Sequence, residues 1–379
     1  MSTSGESTLG STHLRIDYLD GIRAMAIVAV LVVHWLGSQV PAGLGGYIGV
    51  DIFFVLSGYI ITTILWRSRS QQSIHRQWGR FILRRVRRLY PALLGMIVGT
   101  LLLFALVPGA PIGLEDLFPM AGLAIVQGYS FFAAAQLGPL GPFAVTWSLA
   151  VEWMFYLLWP VAVFTAKRSG VSARGLAAWS AGFAIVVYAL ALGQGDHWFY
   201  YGPVARVPEI IAGGVLALVV VSGGPVSETR GGRPRLFGAL TVASIIAVAG
   251  YTVLAPVQWS PVFRFVGVPI AVAATCTLIW AGHRYADLPA FRLLSARPLA
   301  FVGRTSYSLY LWHAVPLAVL TRETMPGAPL PVLAAIGVAS ALIFASISYR
   351  FLELPYMKSK ARAFQPGAPH QAEPAHRPR

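Results

Sequence analysis

The chain has 379 residues, of which 56% are hydrophobic and 11% charged, with a mean hydropathy of +0.65 and a formal net charge of +15. Soluble domains are charged at about a quarter of their positions, so this composition excludes a soluble module. The positive charge does not point to nucleic acid, because the basic residues stand between apolar runs, where they report topology.

A helix crosses a bilayer core with roughly 20 apolar residues. About ten such runs follow in order: 21–37, 47–66, 89–107, 143–163, 175–192, 205–221, 236–254, 264–282, 299–319 and 331–352. The expected fold is an all-α polytopic membrane protein, with about ten transmembrane helices in one bundle over 19–356. Pro-, Gly-, Ser- and charge-rich tails at 1–18 and 357–379 are expected to be disordered. Arg15, the cluster from Arg67 to Arg88, Lys167, Arg168, Arg174, Arg230, Arg233, Arg235, His283, Arg284, Arg292 and Arg297 precede the first run or follow even-numbered ones. The positive-inside rule then puts both termini in the cytoplasm. No small-x-small cleavage site follows the first run, which is read as an uncleaved anchor. The single Cys276 cannot form an intramolecular disulfide. Segment 108–142, with prolines around a short apolar stretch, is expected to be re-entrant or interfacial.

Polar residues inside these runs are costly and so informative. In the first run Arg23 and His34 are eleven residues apart, just over three helical turns, so they share a face at ~16 Å separation. Each alone reads equally as a snorkelling cation or a satisfied core histidine; together they suggest a lined cavity. Asp51 opens the second run at a depth similar to His34, and the expected pairing is Asp51 with His34, leaving the other ring nitrogen as a base. Helix capping is the alternative for Asp51.

Ser148, Glu152 and Tyr156 recur every four residues in the fourth run, as a functional stripe or an interhelical hydrogen-bond ladder. Arg206 and Glu209 stand at i and i+3 in the sixth, as an ion pair or a substrate contact. The ninth run carries His313 one turn from Tyr310. Aromatic residues Trp147, Trp153, Trp198, Tyr200 and Tyr201 gather at the outer side. At the opposite side, Arg84, Arg87 and Arg88 are expected on one helix face beside Arg85, suited to lipid phosphates or to a nucleotide-type donor.

The pieces "LDGIRAMAIVAVLVVH", "GVDIFFVLSGYIIT", "FILRRVRRLYP", "TWSLAVEWMFYLLWP", "RVPEIIAGGVLA", "SYSLYLWH" and "RFLELP", in this order from residue 19 to 355, resemble the acyltransferase family 3 membrane proteins. These transfer acyl groups to hydroxyls of sugars, polysaccharides, peptidoglycan and macrolide-type metabolites. The resemblance implies acyl-CoA as donor, no metal, and His34 as the catalytic residue, with Arg23 on the same helix. It further implies that Arg84, Arg85, Arg87 and Arg88 lie on the donor path, and that Ser148, Glu152 and His313 are further polar site positions.

On that reading the pantetheine arm threads past Arg23 to the depth of His34, which takes the proton of the acceptor hydroxyl. Asp51 orients His34, while Glu152, Ser148 or Arg206 orients the acceptor or stabilises the oxyanion, with Glu209 and Tyr156 as further substrate contacts. The expected partners are the lipid bilayer and a glycan or macrolide-type hydroxyl acceptor, in a bacterial cytoplasmic membrane. Larger members carry a fused extracytoplasmic hydrolase-like domain that this sequence lacks, which turns the expectation away from a polymeric wall acceptor. A transporter or flippase is the alternative from another class, since it too places charges at the midplane.

Overall fold

The computed structural model describes residues 4–36, 44–68, 70, 72–223, 234–320 and 324–355, with the side chains of 4–16 and 330 excepted. The described residues are helical throughout their regular elements, with no strand among them. The long helices are α1 (Ser4–Leu36), α2 (Ile48–Arg67) and α3 (Ile74–Leu106). Two short helices follow, α4 (Leu114–Ile125) and α5 (Tyr129–Ala134), then α6 (Trp147–Arg168) and α7 (Ala173–Ala191). Next come α8 (Asp196–Tyr201), α9 (Pro203–Ser222), α10 (Pro234–Leu254) and α11 (Val268–Arg284). The chain continues with α12 (Pro289–Leu294), α13 (Arg297–Trp312), α14 (Val315–Val319) and α15 (Leu330–Ser348), which runs into a π-helical turn, Tyr349–Glu353.

Nine helical segments among the described residues are long and apolar enough to cross a membrane. The run expected at 299–319 is not among them. Its helix, α13, is 16 residues long and carries Arg304, Thr305, Ser306 and Ser308, then breaks at His313 before α14. Helix α1 is described from Ser4, and residues 1–3 lie outside the described residues. The segment expected to be re-entrant folds as α4 and α5. The tail 357–379 lies outside the described residues.

Helix α2 sits deepest in the bundle, with 72% of its most apolar window buried, whereas α7 has 17% and lies at the periphery. Between apolar helices in lipid, close packing of small residues replaces hydrophobic drive. Accordingly α2 and α9 touch backbone to backbone. A Cβ on Gly58 would stand 1.7 Å from the Ile210 carbonyl oxygen, and one on Gly213 would stand 1.9 Å from that of Val55.

Helices α1 and α13 are pinned at both ends. Arg23 donates from Nε to the Gly303 carbonyl (3.1 Å) and from Nη2 to Ser306 Oγ (2.9 Å). Three turns on, the Trp35 indole N–H donates to the His313 carbonyl at 3.2 Å. Helix α6 is held to α2 by the Trp159 indole on Thr62 Oγ1 (2.8 Å) and by Lys167. Its ammonium donates to the carbonyls of Trp66 (2.8 Å) and Ser68 (2.6 Å), at the negative end of α2.

Candidate active site

Two cavities open among these helices. The first lies between α1, α2, α3, α6 and α13, with ≈ 90 Å³ open to the centres of water molecules. Its polar wall is Arg23, Ser57, Arg85, Arg88, Ser148, Glu152, Tyr156 and Ser306, and Phe53, Phe54, Ile61, Leu89 and Leu149 supply apolar surface. Glu152 is fixed by two hydroxyls: Ser57 donates to Oε1 at 2.6 Å and Tyr156 to Oε2 at 2.7 Å. The four-residue spacing of the α6 stripe does what it promises, since Ser148, Glu152 and Tyr156 all line this cavity.

The arginine cluster divides. Helix α3 is continuous through it, so Arg88 stands on the helix surface between Arg84 and Arg85, and only the side turned to Arg85 faces the bundle. Arg85 and Arg88 reach the first cavity, and Arg85 is buried with its guanidinium over the rings of Phe81 (5.2 Å) and Tyr156 (5.5 Å). Arg84 and Arg87 are exposed on the outside of α3. The expected grouping of Arg84, Arg87 and Arg88 is therefore corrected to Arg85 and Arg88, and Arg84 lines a separate recess with Arg80.

The second cavity, ≈ 140 Å³ by the same measure, is lined by His34, Tyr47, Val50, Trp147, Tyr200, Tyr201, Gln258, Tyr310 and His313. Val50 and Tyr310 line both cavities and form the wall they share. The Tyr310 hydroxyl is 2.7 Å from Ser148 Oγ and donates to the Val145 carbonyl at 3.0 Å.

His34 and His313 stand edge to face with ring centroids 4.7 Å apart. Each Nδ1 faces a backbone carbonyl, Val30 for His34 (2.8 Å) and Tyr310 for His313 (2.7 Å), and must carry the proton. The basic lone pair is then on Nε2 in both rings. His313 is fully buried and its Nε2 has no partner, whereas His34 is exposed.

The expected pairing of Asp51 with His34 is not found. Asp51 Oδ1 instead accepts from Arg206 Nη1 at 2.7 Å, while the same nitrogen reaches Glu209 Oε1 at 2.9 Å and Arg206 Nε donates to the Tyr200 carbonyl at 2.8 Å. All three side chains are at most 1% exposed and line neither cavity. The physical reason is the α2–α9 contact, which carries the Arg206 guanidinium directly against Asp51, whereas His34 already spends its N–H on its own helix. Asp51, Arg206 and Glu209 thus form an ion network between α2 and α9.

The sequence reading also passed over residues that the fold brings in. Ser57, Ser306, Tyr47 and Gln258 are wall residues whose types are common in helices and loops, so no spacing marks them. Of the outer aromatics, Trp147, Tyr200 and Tyr201 line the second cavity. Trp153 packs on Tyr90 (5.5 Å) and Tyr156 (5.8 Å), and Trp198 is exposed.

Known proteins resemble this chain along nearly its whole length. A putative peptidoglycan O-acetyltransferase, YrhL, of Bacillus subtilis is 30% identical over 368 residues, covering 93% of this chain and 56% of the relative. The peptidoglycan O-acetyltransferase OatA of Listeria monocytogenes is 30% identical over 371 residues, covering 91% and 56%. The putative O-acetyltransferase SACOL0978 of Staphylococcus aureus is 27% identical over 369, covering 92% and 58%. The chain thus spans a little over half the length of these relatives. No solved structure matches it. The acyltransferase domain family matches residues 16–350, so the chain, a multi-pass membrane protein by its helices, belongs to the acyltransferase-3 family.

Proposed function

We propose that this protein is a membrane O-acyltransferase that moves an acyl group from acyl-CoA to a hydroxyl of a glycan or related polyhydroxylated acceptor. The observation that carries this reading is the pair of cavities meeting at Val50 and Tyr310, cationic on one side and histidine-lined on the other. The relatives named as peptidoglycan O-acetyltransferases favour acetyl as the group and a glycan as the acceptor.

The donor enters from the arginine side, which the positive-inside count assigns to the cytoplasm, with both termini. Arg85, Arg88 and Arg23 neutralise its phosphates, and the thioester lies in the first cavity against the shared wall. The acceptor hydroxyl lies in the second cavity at Nε2 of His34. As its oxygen attacks the thioester carbonyl, the C–O bond forms, His34 takes the proton, and the collapsing intermediate expels the thiolate of CoA, which is then protonated. Ser148, whose Oγ stands at the wall against the Tyr310 hydroxyl, is the donor nearest to where an oxyanion would develop, and Tyr310, bonded to Val145, positions it. Glu152, anchored by Ser57 and Tyr156, balances the arginines and keeps the cavity polar. Asp51, Arg206 and Glu209 hold α2 to α9 and take no part in the chemistry.

The test separates donor from chemistry. Acetyl-CoA is expected to raise the melting temperature of the purified protein, and Arg85→Ala with Arg88→Ala to abolish that shift. His34→Ala is expected to keep the shift and lose transfer, with no acyl group left on the wild type after donor alone. Absence of any acyl-CoA effect on the wild type, or full transfer by His34→Ala, would overturn the reading.

A further inference from the structure

The second cavity holds two buried acceptor atoms with no partner in the protein, Nε2 of His313 and Oε1 of Gln258. Buried acceptors are normally paired. His313 stands ring to ring with His34, the proton acceptor proposed above, and so belongs beside the proton chemistry. Gln258 does not, and it stands on the loop between α10 and the turn that precedes α11.

That loop is built to hold the amide still. Trp259 stacks on His197 at 4.6 Å between centroids and packs on Tyr200 at 5.6 Å. The Gln258 side chain is hydrogen-bonded to the Tyr47 hydroxyl. Because Oε1 has no partner, the bond to Tyr47 runs from the Nε2–H, and the carbonyl end is left over in the cavity wall. Tyr47 is itself placed by its turn, where the Gly45 N–H donates to the Thr252 carbonyl at 3.0 Å and ties the start of α2 to the end of α10.

Around these two acceptors the wall is aromatic. Trp147 and Tyr200 lie 5.0 Å apart between centroids, and Tyr47 stands edge-on between Tyr200 (5.8 Å) and His34 (5.8 Å). A ligand that answers this wall has an apolar face to lie on the rings and at least two donors on its rim. A sugar ring has both.

We propose that Gln258 is an acceptor-binding residue: its Oε1 takes a hydrogen bond from an O–H or N–H of a saccharide whose neighbouring hydroxyl is presented to the histidine pair. This rests on the second cavity being the acceptor side. Gln258 makes no or breaks no bond in the reaction; it fixes which hydroxyl stands at His34.

The experiment uses the full chain in lipid nanodiscs with two tetrasaccharide probes, chitotetraose and cellotetraose. Binding is read by quenching of tryptophan fluorescence, and transfer from acetyl-CoA by mass spectrometry. The wild type is expected to bind at least one probe. Gln258→Leu, which keeps the size and removes the acceptor, is expected to weaken that binding about tenfold, the loss of one hydrogen bond. Its acceptor KM should rise by the same factor while kcat and the KM for acetyl-CoA stay put. Gln258→Glu keeps an acceptor oxygen for the sugar and can meet Tyr47 only with the hydroxyl as donor; it is expected to bind more tightly than Gln258→Leu, which separates lost recognition from a disturbed loop. Equal binding by wild type and Gln258→Leu, or no binding of either probe by the wild type, overturns the proposal. Binding that depends on Gln258 without any acyl transfer leaves Gln258 as a saccharide contact and overturns the acyltransferase reading instead.

Discussion

Replacing Arg206 by Met is the sharpest test of how the centre of the bundle is held. The guanidinium is wholly buried and joins Asp51 on α2, Glu209 on α9 and the Tyr200 carbonyl at the end of α8, at 2.7, 2.9 and 2.8 Å. Methionine keeps the volume and leaves two buried carboxyl groups without a cation. Removing one partner of a buried ion pair costs ~3–5 kcal/mol, a large share of the ~5–15 kcal/mol that holds an ordinary domain. Asp51→Asn is a different perturbation. It leaves Arg206 with Glu209, one charge against one, so the expected cost is ~1 kcal/mol, the scale of one net hydrogen bond.

The expected order of destabilisation is therefore Arg206→Met far above Asp51→Asn, and the triple variant Arg206→Met, Asp51→Asn, Glu209→Gln should recover much of the loss. Thermal unfolding of the detergent-solubilised protein, followed by tyrosine and tryptophan fluorescence, reads all three. An Arg206→Met protein that melts with the wild type but no longer binds a substrate would refute the structural assignment and return Arg206 to the site.

Four shorter expectations follow from the same geometry. Gly58→Ala puts a Cβ 1.7 Å from the Ile210 oxygen and must push α2 from α9; it should destabilise by several kcal/mol, roughly the scale of severe core overpacking. Gly182→Ala, with nothing within 4 Å, should leave melting unchanged or raise it. Arg85→Ala should raise the KM for acyl-CoA about tenfold or more by removing a buried, charge-assisted contact, while Arg87→Ala, exposed on the far side of α3, should change it little; equal effects would mean that the donor lies outside the first cavity. Tyr310→Phe removes the bonds to Ser148 and Val145 but keeps the ring, so kcat should fall while donor binding holds, which single-turnover kinetics and donor titration can separate.

Much of the fold was legible because membrane helices announce themselves by length and apolarity, and the runs at 47–66 and 175–192 lie within a residue or two of α2 and α7. The exception, α13, shows the limit of that signal. A helix that gives Ser306 to the cavity wall, and buries Thr305 and Ser308 in bonds to its own backbone and to Ser348 and Glu353, loses hydropathy, so the polar residues that place it also hide it. Spacing within one helix was equally readable: Arg23 and His34 on α1, and Ser148, Glu152 and Tyr156 on α6, reach the cavities as their periods require. Pairings between helices were not readable. Asp51 at the right depth for His34 says nothing about azimuth, and only the packing of Gly58 and Gly213 decides that the carboxylate meets Arg206. The arginine cluster failed for a related reason, since a run of cations contains several i, i+3 and i+4 sets and the sequence does not say which one faces inward.

The way α1 is pinned constrains the donor as well. Arg23, which lines the first cavity, is bonded to α13 at Gly303 and Ser306, and His34, which lines the second, stands one residue from Trp35, bonded to α13 at His313. The span between them is eleven residues of unbroken helix, ~16 Å. The helix itself fixes that distance, and with both residues fastened to the same partner α1 cannot slide along α13 without breaking three hydrogen bonds. A donor whose phosphates rest at the arginine end of this pair, and whose acyl group must meet a hydroxyl held at His34, therefore needs an arm of that order between them. Acetyl phosphate has the phosphate and the acyl group but no arm, and an acetylated N-acetylcysteamine thioester has the thioester and no phosphate. On the proposed reading acetyl phosphate should neither transfer nor compete appreciably with acetyl-CoA. The truncated thioester should transfer only at concentrations far above those needed for acetyl-CoA, and its KM should be insensitive to Arg85→Ala. Competition by acetyl phosphate at acetyl-CoA concentrations, or an Arg85 effect on the truncated thioester equal to that on acetyl-CoA, would show that phosphates and acyl group do not bind at opposite ends of this helix pair.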